Sequence, residues 1–513
     1  MDQTGRVDRT GHVDLLVGDI FRNAARAVPM RVAAVAGDHH LTFADLHDGA
    51  NQIAAVLARS GVGTGDRVVT WCDNTIDLVP VYVGLARHGA VFAPTNGNLS
   101  LDEVTPIATL IEPSLLVVDA PRAGDAPELA RRLGVDWIVA DTVTRAPTDA
   151  PHRSLHVLAS VASSADRGPI DGLTERSPHV VFFTSGSTGQ PKGVVISHRA
   201  SVLRSHPGAQ LEPRGALICP FPLFHMGAWT LAMQQWHARD TIVFTSPTGA
   251  EICAAAERHR AARVYLIPAV ARRVLDHLAG GASHDFASVR FADTGTSATP
   301  PGLLREIAKT FPNAVLRVFY GSTEAANVAA LDHADFERKP GSCGTPSPFT
   351  EVRRADTGEL QVRNAVMFDG YFNNPAATAA AFDDGWYRTG DRVEIDDDGF
   401  LSITGRLHDV IRTGGETVAP LEVEQVLATH PDIVDVAVIG VPDQTWGEIV
   451  CAAVVTARPL TLEELREHCA GLASHKHPRR IMLVDSIPRT PATAQVQRAV
   501  LIEQALSATS RTG

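Results

Sequence analysis

Short apolar runs alternate with stretches whose apolar positions recur at helical spacing. "LLVVDA" (115–120), "DWIVA" (136–140), "HVVFFTSG" (179–186) and "ARVYLIPA" (262–269) read as buried strands. In "LTFADLHDGANQIAAVLARSG", Leu46, Ile53, Val56 and Leu57 fall on one helical face, and Gly61 supplies a stop. "AAAERHRAAR" after Cys253 and "PGLLREIAKTF" from Pro301 predict further helices. Strands alternating with helices imply parallel or mixed sheets covered by helices. Beyond about residue 340, "TGELQVRNAVMFDGYF" and "GWYRTGDRVEIDDDGFLSITGR" place turn residues between short strands, the texture of a small antiparallel β subdomain. After Gly405 the α/β pattern returns: "LEVEQVLATHP" and "LTLEELREHCAGL" as helices, "VDVAVIGVPD" and "EIVCAAVVT" as strands.

The expected class is therefore α/β. A large N-terminal domain, residues 1–405, holds helix-covered mixed sheets and a β-rich subdomain over about 340–405. A small α/β lobe, 406–513, follows. A chain of 513 residues exceeds what one core holds, which agrees with this division.

Composition narrows the field. Hydrophobic residues are 44% and charged residues 20%, an ordinary globular balance. A net charge of -12 argues against a nucleic-acid partner. The six cysteines are scattered without a CxxC pair, so they read as reduced thiols of a cytoplasmic protein. The polar start "MDQTGRVDRTGHVD" lacks the apolar run of a signal peptide, and no run is long enough to span a membrane.

"TSGSTGQPKG" (184–193) follows an apolar strand and combines glycines, hydroxyls and a lysine. Backbone N–H groups in such a loop form a concavity for phosphate oxygens, and Lys192 adds positive charge. The Walker pattern is not met: no Ser or Thr follows Lys192, and "GVVISH" reads as a strand. A linker or a plain hairpin turn has little use for "PKGV" between two apolar runs.

This stretch, "TSGSTGQPKGVVISHRA", strongly resembles the signature loop of the adenylate-forming superfamily, which includes acyl-CoA synthetases, peptide-synthetase adenylation domains and luciferases. Further motifs follow in family order. "YGSTEAA" (320–326), "GWYRTGD" (385–391) and "GRLHDVIRTGGETVAPLEVE" (405–424) match its later signatures, and "PLFHMGAW" (222–229) its acid-pocket segment. The resemblance covers about 42–501 and is closest to the acyl-CoA synthetases.

It implies the following roles. Thr184, Ser185, Gly186, Ser187, Thr188, Gly189 and Lys192 would grip ATP phosphates. Tyr320 would stack on adenine, flanked by Gly321 and Ser322. Thr323 would meet the α-phosphate, and Glu324 would bind Mg²⁺. Asp391 would accept from the ribose hydroxyls, and Arg406 would reach the ribose or phosphate. His225, Trp229, Met233, Thr294, Gly295, Thr296, Ser297 and Gly321 would line the acid pocket, with His225 near the carboxylate. His408 would sit at a hinge, and Gly414, Gly415 and Glu416 would line the coenzyme A tunnel. The implied reaction makes acyl-AMP from ATP and a carboxylic acid, then acyl-CoA, with the C-terminal lobe moving between the halves. A monomer and a homodimer both suit such a chain.

One signature departs from the family. Relatives end in Pro-x-Thr-x-x-Gly-Lys, whose lysine serves the first half-reaction. Here "IPRTPATAQVQRAVL" (487–501) puts Gln495 in the lysine position and Ala494 in the glycine position, counting back from Arg498. Counting forward from Pro488 reaches Ala494 instead. Glutamine donates a hydrogen bond but carries no charge. Natural divergence, an engineered loss of lysine, and substitution by Arg489 or Arg498 each account for it. Adenylation is expected to be weakened at Gln495, which counts with His225, Thr323 and Glu324 among the catalytic candidates.

"DTGTSATP" (293–300) is small and partly polar, and "NVAALDHA" after the second signature is small and apolar. A sizeable hydrophobic, cyclic or aryl acid is expected. The alternatives are a ligase loading a carrier protein, a non-catalytic adenylate-binding homologue, a luciferase-like oxygenase and an amino-acid adenylation domain. The last would use a pocket aspartate, and Asp293 lies just outside that position.

Overall fold

The computed structural model describes residues 13–73, 76–145, 151–165, 170–185, 191–205, 215–296, 299–407, 409–413, 416–443, 445–490 and 495–509. Within them the strands form four sheets, of nine, seven, five and five strands. In the nine-stranded sheet, Val32–Ala36, Ile242–Phe244, Leu217–Cys219, Arg263–Tyr265, Phe291–Gly295 and Val315–Ser322 run parallel. Antiparallel strands close both edges. The seven-stranded sheet is also mixed: near one edge Pro191–Ser197 runs against its two neighbours, Pro178–Ser185 and Gly370–Tyr371.

Local chemistry accounts for the elements. The helix Phe43–Arg59 starts at a reciprocal cap: Thr42 Oγ1 accepts from Asp45 N–H at 3.1 Å, and the Asp45 carboxylate accepts from Thr42 N–H at 2.8 Å. Its residues Leu46, Ile53, Val56 and Leu57 are all buried, as the periodicity requires. One expected strand is shorter than its apolar run. Residues 262–269 form a strand only over Arg263–Tyr265, because Pro268 opens the helix Pro268–Ala279. Proline has no N–H to give a ladder, but it fits the first helical turn without loss.

The strands Thr350–Arg354, Glu359–Asn364, Phe382–Asp383, Trp386–Ile395 and Leu401–Arg406 make the expected small antiparallel sheet. The last five-stranded sheet is built on the long hairpin Ile433–Asp443 with Gly447–Thr456. Both of its faces are covered. Val436 and Val438 join a core with Val423, Leu427 and Leu465, while Ala437, Ile439 and Val441 join one with Leu501 and Ala505. All six cysteines are free thiols, five of them buried. No helix among the described residues is long and apolar enough to cross a membrane.

An ion pair ties the C-terminal helix to this sheet. Arg498 Nη2 donates to Glu424 Oε1 at 2.7 Å, and the same oxygen accepts from Val438 N–H at 2.8 Å. Burial raises the Glu424 pKa, and Arg498 only partly opposes it. The pair is thus a positioning device, and breaking it strands a half-buried charge. Glu424→Ala is expected to destabilise this lobe by about 2–3 kcal/mol, below the range for a fully buried pair because the Arg498 side chain keeps 25% of its surface. The double change Glu424→Leu, Arg498→Met should recover most of the loss. Urea unfolding followed at Trp446, the sole tryptophan beyond residue 405, reads both.

Candidate active site

The parallel strands of the nine-stranded sheet all end on one edge, where ligands of open α/β sheets bind. The residues that follow or end neighbouring strands there include His225, Thr294–Thr296 and Tyr320–Glu324. Register brings two of these groups together directly, since Gly295 pairs with Phe319. The backbone approach is close. A Cβ on Gly321 would lie 2.0 Å from Ala326 O, and one on Gly295 would lie 2.4 Å from Phe319 O. Glycine is required at both by space alone.

Tyr320, Asp391 and Arg406 meet across two sheets. Asp391 and Arg406 are cross-strand partners in the small antiparallel sheet. Arg406 Nε lies 2.9 Å from Asp391 Oδ1, and Tyr320 Oη donates to Asp391 Oδ2 at 2.5 Å. Burial pushes the Asp391 pKa up, while Arg406 and the Tyr320 hydroxyl pull it down. Burial and the adjacent carboxylate both hold the Tyr320 hydroxyl protonated.

The residues on either side of the glycine-rich segment are partners in an antiparallel ladder. Thr184 pairs with Lys192, and Ser185 with Pro191. Lys192 Nζ lies 4.8 Å from the centre of the Tyr371 ring, and Tyr371 Oη donates to Glu324 Oε1 at 3.0 Å. One tyrosine thereby links the lysine of the first signature to the glutamate of the second. Arg204, which is buried, fixes the second signature. Its guanidinium donates to Thr323 O at 2.9 Å, Glu324 O at 3.0 Å and Val366 O at 2.9 Å. Burial lowers the Arg204 pKa only to about 10, so the cation persists at neutral pH.

Tyr371 and Arg204 escaped the sequence reading. Tyr371 lies in the "DGYF" run, which reads only as a strand end, and Arg204 is one arginine on a helix without a pattern. Tyr265 is a third omission. Its hydroxyl faces Gly295, at 2.9 Å from a hypothetical Cβ there.

Two expected pocket residues lie in the core. Trp229 and Met233 have essentially no exposed surface, and Tyr82 Oη donates to Met233 Sδ at 3.0 Å. Thr294 is also buried, its hydroxyl 3.2 Å from that of Thr299. Glu416 is exposed, as is Gln495. The Gln495 backbone pairs with Thr490. Gly186, Ser187, Thr188, Gly189, Ser297, His408, Gly414, Gly415 and Ala494 lie outside the described residues.

With this geometry in view, sequence comparison is decisive. The model of the AMP-binding enzyme family matches residues 21–372, and that of the AMP-binding enzyme C-terminal domain matches 422–493. The chain belongs to the AMP-binding enzyme family. It is 31% identical to long-chain-fatty-acid–CoA ligase FadD13 of Mycobacterium tuberculosis, over 95% of this chain and 98% of that one. It is 34% identical to the 3-[(3aS,4S,7aS)-7a-methyl-1,5-dioxo-octahydro-1H-inden-4-yl]propanoyl:CoA ligase of the same species, over 91% and 94%. Among solved structures it resembles the amide bond synthetase McbA of Marinactinospora thermotolerans, with a TM-score of 0.83, 28% identity and coverage of 95% and 99%. Its near-full-length CoA ligase relatives put the chain in the ATP-dependent, AMP-forming acid–CoA ligase reaction class.

His225 stands at the N-terminus of the helix Met226–His237. The residue is only partly buried, but Nε2 is enclosed without a hydrogen-bond partner. Burial lowers its pKa to about 4, so it is neutral at pH 7. The unfolded chain binds this proton near pH 6.5, and the folded chain only near 4. Its contribution to stability is therefore complete above pH 6.5 and is lost as the pH falls from 6.5 to 4. On acidification from pH 7 to 5, His225→Gln should lose less stability than the parent, by about 2 kcal/mol. Denaturant titrations at the two pH values measure this. Equal losses would mean that the ring titrates normally.

Proposed function

We propose that the chain joins a sizeable apolar carboxylic acid to coenzyme A through an acyl-adenylate, with the nucleotide held by the residues around Glu324 and Asp391. A carboxylate oxygen attacks the α-phosphorus of ATP, the bond to the bridging oxygen breaks, and pyrophosphate leaves. The thiol sulfur of coenzyme A then attacks the acyl carbon, and AMP departs. The observation that carries this reading is the Lys192–Tyr371–Glu324 chain, which brings phosphate-binding and metal-binding chemistry to one place.

Glu324 suits Mg²⁺. It is a hard oxygen donor, nearly buried, and Tyr371 occupies one of its oxygens, so the other can still accept a cation shared with phosphate. When bound, the ion would neutralise charge on the leaving pyrophosphate. In this reading Thr184, Ser185 and the glycine-rich turn hold the outer phosphates, Tyr320 stacks on adenine, Gly321 and Ser322 shape the adenine side, and Thr323 donates to the α-phosphate. Asp391 is set to accept from the ribose hydroxyls, and Arg406 balances its charge. His225, uncharged at neutral pH, would offer the acid a hydrogen bond rather than a cation.

The acceptor and the hinge follow. Leu407 N–H donates to Gly390 O at 2.8 Å, while Asp409 lies 3.5 Å from Arg498. Bonds to the two halves of the molecule thus bracket position 408. That favours a pivot there, with 1–405 and 406–513 as the moving parts and Gly414, Gly415 and Glu416 beside the thiol path. The absence of a membrane-spanning helix among the described residues is compatible with a cytoplasmic enzyme acting as a monomer or homodimer. An amino acid is a poor substrate on this reading. Asp293 is committed to Arg317, at 2.8 and 3.0 Å, and to Arg263, at 3.4 Å, and is not available to an ammonium group.

Gln495 replaces a positive charge that would serve only adenylation. Neither alternative cation is at hand in this arrangement: Arg498 holds Glu424, and Arg489 Nη2 holds Asp435 at 2.7 Å. Gln495→Lys is expected to accelerate acyl-AMP formation by about 10²–10³-fold, with a smaller effect on thiol capture of preformed acyl-AMP. The test incubates both forms with ATP, Mg²⁺, a panel of aliphatic, bicyclic and aryl acids, and either coenzyme A or a phosphopantetheinyl carrier protein, scored by mass spectrometry. An equally fast parent would place the step on another group. Acyl transfer to the carrier alone would overturn the choice of coenzyme A, and retained adenylation in Lys192→Ala would remove the phosphate role of the loop.

A further inference from the structure

Away from the nucleotide site, a set of metal-ligating side chains converges where the helices Gly249–Arg258 and Pro268–Ala279 pack together. Cys253 lies on the first helix, His277 near the end of the second, and His284 in the loop that follows. The Cys253 sulfur and one ring nitrogen from each histidine all lie within 4.8 Å of one another. His277 Nε2 and His284 Nε2 are 3.3 Å apart. Two nitrogens each about 2.0–2.1 Å from one tetrahedral zinc ion stand about 3.3–3.4 Å apart, so this edge of the site is already at coordination spacing.

The surroundings of His284 agree. Its Nδ1 lies 2.9 Å from Glu257 Oε2. A carboxylate only accepts, so Nδ1 carries the proton and Nε2 presents its lone pair towards His277 and Cys253. Glu257 sits one helical turn after Cys253 and so shares its face. Its other oxygen accepts from Asp285 N–H at 3.2 Å, which fixes the carboxylate. Carboxylate, histidine and metal in that order is the usual support for a zinc-bound imidazole. Cys253 is buried on the inner side, and the His284 side chain keeps 16% of its surface. An ion held here would reach solvent on one side.

We propose that Cys253, His277 and His284 form a binding site for a divalent transition metal of the zinc class, with Glu257 orienting His284 and water as the fourth ligand. The site clamps two helices and the loop that leads into the strand Phe291–Gly295. That strand carries Thr294 and Gly295 at its other end, so the ion acts on the support of the acid pocket and takes no part in the chemistry. A bare His277–His284 hydrogen bond relayed to Glu257 is the competing arrangement, and it has no use for the thiol.

The full chain, stripped with a chelator, is titrated with Zn²⁺ by calorimetry and with Co²⁺ by absorption spectroscopy. The expected result is one saturable equivalent and a Co²⁺ spectrum with a thiolate-to-metal charge-transfer band. Cys253→Ser should abolish that band and weaken Zn²⁺ binding more than about 100-fold, and Glu257→Gln should weaken it about 10–100-fold. Zn²⁺ should raise the unfolding temperature of the parent and not of Cys253→Ser. His284→Gln, a change on a partly exposed loop, is the second variant should Cys253→Ser not fold, and it should also lose the equivalent. No saturable binding, a Co²⁺ spectrum without the thiolate band, or binding unchanged in these variants would overturn the site.

Discussion

The geometry around the second signature depends on one buried cation. Arg204 comes from the helix His198–Ser205, directly after the strand that leaves the glycine-rich turn. It satisfies its donors on three main-chain carbonyls, of Thr323, Glu324 and Val366. Those carbonyls belong to the second signature and to the segment that leads to Tyr371. A guanidinium with several fixed donors is suited to this, because it sets angles as well as distances. Desolvation of the cation is offset by the carbonyl dipoles and by the nearby carboxylates of Glu324 and Asp369. The first signature, the second signature and Tyr371 are thereby held in one frame before any ligand arrives.

Asp391 is held by a similar logic with the opposite charge. It is buried, and two donors hold its oxygens: the Tyr320 hydroxyl and Arg406. A ribose that replaced the tyrosine contact would meet a carboxylate already oriented and already paired. Such preorganisation puts the reorganisation energy into folding rather than into the reaction. It also depends on the pairing of Trp386–Ile395 with Leu401–Arg406. The cross-strand register that places Asp391 opposite Arg406 is a property of that hairpin alone.

The parts of this arrangement that were legible in the sequence are the ones encoded locally. The glycine-rich signature, the helix after Leu41 with its stop at Gly61, and the alternating strands each depend on neighbours within a few residues. Strands and helices followed from periodicity, except where Pro268 ended an apolar run early. Arg204 and Tyr371 act on partners more than forty residues away, and no local pattern marks a residue for that role. Trp229 and Met233 mark another limit of local reading. Their apolar character suited a pocket and a core equally, and packing against Tyr82 places them in the core. The Cys253–His277–His284 cluster was also invisible, because its spacing matches no metal-binding motif and the loop at 280–284 closes it in space.

The C-terminal lobe carries the remaining argument. Its two cores cover both faces of one sheet, so it can keep its shape while its position changes. The Glu424–Arg498 pair anchors the start of the last helix to this sheet, and the backbone pairing of Gln497 with Pro488 and of Thr490 with Gln495 hangs from that anchor. On the proposed domain-alternating reading, this pairing would travel with the lobe. The side chain at 495 would then meet the nucleotide in one lobe position and be withdrawn in the other. A charge there would serve adenylation and be idle during thiol transfer. On that reading, glutamine at 495 is a change confined to one half of the cycle. The structure accommodates it without disturbing a core residue, since the side chain is exposed and the two flanking arginines keep their partners. Evolution or design can alter that position freely because the fold asks nothing of it.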